Sequence, residues 1–290
     1  MNRSLFAKSM FVFIVLPFAY ATAQSSFAEE LNAGDRAYKE LKFEEAIRHF
    51  QNATALEPQS EAAHSYLGSA FAAEYIPGVE TPENIELAEN AIVEYKKVFE
   101  LNSKSGQSLK GIASLYLQMK KFQDAKSLYR RAVQLVPDDP ENYYSIGVIC
   151  WTQAFTPRIR LRDKLALKPD EPLPIDYTGC WQLKESNAKV VEEGMTALAK
   201  AIDLRPDYDD AMVYMNLLYR EQGEIQCADP GARAADLQAA DHWSDLALNS
   251  RQKASSSAAL RLILPEINSN GSLVEVLENR FRLILRDDCR

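Results

Sequence analysis

Along residues 122–137, FQDAKSLYRRAVQLVP, the apolar or small positions are Phe122, Ala125, Tyr129, Ala132 and Leu135, with charged and polar residues between them. Steps of three and four place all five on one stripe of an α-helix. Pro137 ends it, because proline supplies no N–H and the residue before it avoids helical geometry. The two alanines are seven residues apart, about two turns. Small residues on one face let a second helix come close, while the larger side chains fill the space beside them. The stretch predicts one half of a tightly packed helix pair.

The pattern recurs. Phe43, Ala46, Phe50, Ala53, Leu56 and Pro58 repeat its spacing; Ala91, Tyr95, Val98 and Leu101 form a third copy without the proline. A fourth has Gly194, Leu198, Ala201, Leu204 and Pro206. Next to these run further helices marked by one small residue among large apolar ones: Gly34, Gly68, Ala113, Gly147 and, in a fifth, Asn216. These marks are separated by 34, 45, 34 and 69 residues. A period of 34 is the sign of a repeat architecture, in which a helix pair buries its apolar face only by stacking on its neighbours. An ordinary helical bundle needs no such recurrence.

Over about 29–250 the chain resembles the tetratricopeptide repeat, whose signature is an aromatic or Leu, Leu-Gly, an aromatic, Ala, an aromatic, Ala and Pro. The resemblance implies an all-α superhelical solenoid of about five helix pairs. The pairs fall at about 27–60, 61–105, 106–139, 140–208 and 209–250, and residues 251–290 form a C-terminal capping segment. It also implies a scaffold for protein interaction, a role the fold alone does not specify further. Extra residues interrupt the period between the helices of repeat 2 (near AEYIPGVETPENIE), repeat 4 (roughly 152–186) and repeat 5 (near CADPGARAADLQ). All three emerge on one edge, where insertions either build a binding face or are tolerated loop drift.

The first residues carry Arg3 and Lys8, an apolar stretch from Met10 to Tyr20, and Ala21-Thr22-Ala23. This is the pattern of a cleavable secretory signal peptide, residues 1–23, and it predicts a periplasmic or secreted protein with no membrane span after cleavage. Cleavage removes two cations and takes the net charge from −8 to −10. That balance argues against nucleic acid as a partner. One basic island interrupts it, with Arg158, Arg160, Arg162, Lys164 and Lys168. It reads as a short helix starting after Pro157, cations outward, so that Gln at 158, 160 and 162 should leave melting nearly unchanged. An exported chain permits disulfides among Cys150, Cys180, Cys227 and Cys289. Cys150 reads as a buried thiol. Cys180 and Cys227 lie at the far ends of an antiparallel helix hairpin turning near Pro206, and are predicted to be joined.

No catalytic motif is present, and His49, His64 and His242 stand apart, so neither an enzyme nor a metal or cofactor site is expected. His64 reads as a packing residue. In the register of the family, the inner wall of the solenoid includes Tyr38, Tyr66, Lys110, Ser114, Leu117, Tyr144, Val148, Trp151, Tyr214, Leu217 and Arg220. Aromatics with few charges suit a peptide or protein partner with apolar anchors. The family's clamp for terminal carboxylates is not expected, since Leu31, Ser65, Tyr144 and Val213 stand where several of its Lys, Asn and Arg would be. The candidate partner-binding residues are Tyr144, Val148, Trp151, Tyr214, Leu217 and Arg220, with Arg158, Arg160 and Arg162. The alternative is a ligand-binding module whose pocket, between Trp151 and Arg220, is closed by the 152–186 insertion. Beyond 250, ASSSAA reads as a linker, and Leu273, Leu277, Phe281 and Ile284 as the stripe of an end-capping helix.

Overall fold

The computed structural model describes residues 16–168, 171, 173–174 and 178–270, with side chains from 26 to 256. Among the described residues there are ten α-helices and no strand. They are α1 (Leu16–Lys39), α2 (Phe43–Leu56), α3 (Glu61–Glu74), α4 (Pro82–Leu101), α5 (Gly106–Gln118), α6 (Phe122–Leu135), α7 (Pro140–Lys164), α8 (Thr178–Leu204), α9 (Asp209–Glu224) and α10 (Pro230–Asn270). They form two compact units, divided between Ile149 and Cys150.

In the first unit α1 pairs with α2, α3 with α4 and α5 with α6, and each pair packs on the next. Ser60, Thr81 and Ser105 cap α3, α4 and α5, each side-chain oxygen accepting a backbone N–H three residues on. Such caps satisfy donors that a helix start otherwise leaves open. The aromatic of each second helix meets a small residue on a first helix. The Phe50 ring lies so close to Gly34 that an added Cβ would stand 2.5 Å from it. Its other neighbour is Tyr66 of α3, at 5.5 Å between ring centroids. Tyr95 lies against Gly68 of α3 and Gly111 of α5, where added Cβ atoms would stand 3.1 and 2.7 Å from its ring. Its hydroxyl meets Ser69 Oγ at 3.1 Å, and burial pushes its pKa up. Tyr129 behaves likewise: burial raises its pKa, while hydrogen bonds to Ser145 and Ser114 pull it down. Ala46, Ala91, Ala125 and Ala132 are fully buried on the same helices. His64 is a buried packing residue, its Nδ1 2.5 Å from a Glu94 carboxylate oxygen and its Nε2 3.1 Å from the Pro58 carbonyl.

In the second unit α9 packs between α8 and α10. Here the small residue is on the second helix: a Cβ on Gly194 would stand 2.7 Å from both Cys150 of α7 and Leu218 of α9. Cys150 is a buried thiol.

The insertions differ from the sequence expectation. No new helix starts after Pro157; α7 runs through it to Lys164. With α8 starting at Thr178, most of 152–186 is extra helix on α7 and α8. The repeat 2 insertion is a short turn followed by an early start of α4 at Pro82, a favoured first-turn position for proline. The serine-rich stretch near 255 is not a linker, because α10 continues through it to Asn270. Its Ala, Leu and Lys neighbours are strong helix formers. Residues 1–15 of the predicted signal peptide, and Leu273, Leu277, Phe281, Ile284 and Cys289, lie outside the described residues.

Gly34→Ala is expected to lower stability by about 1–3 kcal/mol, read as a fall in melting temperature, because the methyl group must displace the Phe50 ring. The loss should shrink when Phe50→Leu is made alongside it, since neighbouring substitutions couple.

Candidate protein-binding surface

The second unit carries most of the residues predicted for binding. From Cys150 onward, α7 presents Trp151, Phe155, Arg158 and Arg162 at steps of three and four, one stripe of a helix. The facing α9 presents Tyr214, Leu217, Glu221 and Glu224 at the same steps. The two stripes meet. Trp151 is half-buried, edge-on to Tyr214 with ring centroids 5.5 Å apart, and tilted over Phe155 at 5.0 Å. Burial raises the Tyr214 pKa, and Asp210 adds to the rise. The Arg158 guanidinium lies 5.1 Å from the Phe155 ring centroid.

Arg158 also donates two hydrogen bonds to Glu221, Nε to Oε2 at 2.7 Å and Nη2 to Oε1 at 2.8 Å. The Glu221 side chain is only 2% exposed. Burial pushes its carboxyl pKa up; the bonds and charge of Arg158 pull it back, and Glu224 adds to the upward push. One turn along, Arg162 Nη1 donates to Glu224 Oε2 at 3.1 Å, and its Nη2 donates to the Lys168 carbonyl. Arg233 of α10 reaches the other oxygen of Glu224 at 3.2 Å. Beyond these rungs Cys180 and Cys227 form a disulfide, S–S 2.05 Å. Both sulfurs belong to a small apolar cluster with Leu173, Leu183 and Ile225.

This corrects the reading of the basic island. Arg158 and Arg162 do not face outward: they bond to α9 and fasten the extension of α7 to it, while Arg160 alone of the three is exposed. A buried carboxylate is expensive unless a cation and good geometry answer it, which sets these arginines inward. The carboxylate partners Glu221 and Glu224 were not singled out in the sequence, nor was Phe155. The available signal was helical spacing, four residues between Arg158 and Arg162 and three between Glu221 and Glu224, which puts each pair on one face of its helix.

Arg220 is exposed on α9, donating to Asn216 Oδ1 at 3.3 Å and to Asp241 Oδ1 at 2.8 Å. Leu217 is half-buried. Tyr144 and Val148, also half-buried, lie on the part of α7 that belongs to the first unit. A cleft of about 220 Å³ lies beside the disulfide, bordered by Leu173, Gly223, Glu224, Cys227, Arg233 and Leu237. Neither Trp151 nor Arg220 lines it, so it is not the pocket the alternative reading places between them. In the first unit a cleft of about 390 Å³ has Phe99, Leu109, Ile112, Tyr116 and Leu128 in its walls.

Residues 31–75 and 111–139 match models of the tetratricopeptide repeat. Similar solved structures include a MamA protein, 17% identical with a TM-score of 0.52 over 80% of this chain and 96% of that one. Residues 41 to the end of MamA from Desulfovibrio magneticus RS-1 give 17% identity and a TM-score of 0.51 over 79% of this chain and 96% of that one. YrrB, described as a TPR protein with an unusual peptide-binding site, gives 13% identity and a TM-score of 0.50 over 82% and 98%. At such identities the likeness concerns the fold. No curated protein matches the chain by sequence.

Replacing Cys180 and Cys227 by Ser is expected to destabilise the second unit by about 4 kcal/mol, the chain-entropy value for a 47-residue separation. Among the arginines, Arg162→Gln should lower the melting temperature by several degrees and Arg160→Gln should leave it unchanged. Equal melting of the two variants would show that the inward ion pair holds nothing.

Proposed function

We propose that this tetratricopeptide-repeat protein is a non-enzymatic scaffold that takes a peptide or protein segment on the surface of α7 and α9 bearing Trp151, Phe155, Tyr214, Leu217 and Arg220. The observation that carries the reading is an aromatic cluster left half-open to solvent on a base that is otherwise locked. Glu221 and Glu224 hold α7 to α9, and the disulfide holds α8 to the turn after α9. Aromatic and arginine side chains in a rigid setting are the types that dominate interface energy, because little ordering is left to do when a partner arrives. Arg220 supports the same reading. Its pairing with Asp241 is solvent-exposed on both sides, and such pairs contribute little, so a carboxylate or carbonyl of the partner can replace Asp241. The partner is therefore a segment with apolar anchors and an acceptor beside them.

The reading places the protein outside the cytoplasm. Glu30, Leu31, Gly34, Ala37 and Tyr38, which join α1 to the repeat that follows, all lie beyond Ala23 and are kept on cleavage there. A disulfide inside the second unit fits an oxidising compartment. Among the described residues no helix is long and apolar enough to cross a membrane.

Peptides selected from a random display library on the mature chain test the surface. Tyr214→Ala and Leu217→Ala should each weaken the selected peptides by about tenfold or more with a small change in melting temperature, the behaviour of central anchors. Selection of peptides whose binding survives both substitutions would move the site elsewhere. Mass spectrometry of protein recovered from an exporting host should find Gln24 as the first residue; retention of residues 1–23 would remove the envelope assignment.

A further inference from the structure

We infer that the turn between α3 and α4, with the adjoining face of α4, is a second docking surface, and that its occupant is a protein segment carrying lysine or arginine around apolar side chains. The surface belongs to the first unit and does not rest on the proposal above.

Three observations meet here. The first is exposed apolar surface: Ile76 and Val93 are 59% exposed, Val79 39% and Ile85 36%. Ile76 and Val79 lie in the turn, Ile85 in the first helical turn beside it, and Val93 two turns along from Ile85. Single exposed apolar residues are ordinary on a protein surface, but Ile76, Val79 and Ile85 lie together at one turn, and such a group is a mark of an interaction site.

The second is that the turn is built rather than loose. The buried Asn84 side chain donates to the carbonyls of Ile76 and Val79, at 2.8 and 2.7 Å, and accepts the Ile76 N–H at 2.8 Å. Tyr75 is buried at the start of the turn and Thr81 caps α4 at its end. The chain thus fixes two aliphatic side chains in water.

The third is charge. Residues 72–95 hold Glu74, Glu80, Glu83, Glu86, Glu89 and Glu94 and no Lys, Arg or His. Glu94 is bonded to His64, whereas Glu80, Glu83, Glu86 and Glu89 are exposed. Like charges three residues apart on a helix repel and weaken it. This arrangement opposes folding, and a cationic partner relieves it. The sign also excludes nucleic acid and anionic lipid, which the same charges repel. The four glutamates are strung along the turn and helix rather than gathered round one point, and among the described residues no cluster has the make-up of a metal site. Apolar anchors inside an acidic border select a basic, amphipathic protein segment.

The test uses the full mature chain and a fluorescent amphipathic Leu/Lys helix peptide, with a Leu/Glu peptide as its counterpart. The Leu/Lys peptide should bind in a salt-dependent way and the Leu/Glu peptide should not. Ile76→Ser with Val79→Ser should weaken binding by about tenfold at unchanged melting temperature. Gln at Glu80, Glu83, Glu86 and Glu89 should abolish binding, while removal of four acids elsewhere in the unit (Glu29, Glu44, Asp124 and Asp138) should leave it within about twofold. Equal weakening by the two four-charge variants means that net charge alone attracts the peptide, and overturns the inference. So does undiminished binding by the serine pair, or binding that Tyr214→Ala removes.

Discussion

In the first unit, everything depends on rings that each serve two helices at once. Tyr95 fits between Gly68 and Gly111, Phe50 between Gly34 and Tyr66, and Tyr129 bonds to Ser114 and Ser145. Each ring belongs to the second helix of one repeat and touches the first helices of that repeat and the next. A ring is flat and stiff, so it fixes the distance between consecutive first helices more tightly than a flexible aliphatic chain could. The glycines are the other half of the arrangement, because a side chain at 34 or 111 would occupy the place of the ring. Stability in such a stack is a sum over neighbours.

The second unit solves the same problem with different chemistry. Its helices outgrow the repeat, and the extension is fastened by other means. Ion pairs and a disulfide take over. Arg158 and Glu221, then Arg162, Glu224 and Arg233, form consecutive rungs that tie the extension of α7 to α9 and α9 to α10, and Cys180–Cys227 fastens the end. Buried ion pairs add less to stability than apolar packing of equal volume. They are intolerant of a change in register, however, since sliding α7 by one turn would leave at most one of its two arginines opposite a carboxylate of α9.

How much of this the amino-acid sequence discloses follows from the range of each interaction. The helix pairs are legible because Ala46, Phe50, Ala125 and Tyr129 repeat at fixed offsets, and each offset is a property of one helix. The Cys180–Cys227 pairing is legible because the lengths of two helices about a known turn bring their ends together. Pro157 misleads. A proline inside a helix removes one hydrogen bond and is read as a start, but the packing of the extension on α9 outweighs that local cost. Arg158 misleads for a different reason: cations default to solvent, and the carboxylate that draws it inward is 63 residues away. The acidic border of the α3–α4 turn is plain in the sequence, whereas the Asn84 bonds that make the turn rigid appear only in three dimensions.

The burial of the disulfide carries a consequence for how the protein comes into being. In the finished fold Cys180 and Cys227 are 1% and 4% exposed. Thiol–disulfide exchange requires an attacking sulfur to reach the bond. The pair borders the cleft beside it, a narrower approach than the open chain gives, so the sulfurs are joined most readily while α7 and α8 are still open over the α9–α10 turn. Oxidation is therefore favoured as a step of assembly rather than a finishing treatment. A chain that closes first, in a reducing compartment, keeps two largely covered thiols and acquires the bond more slowly.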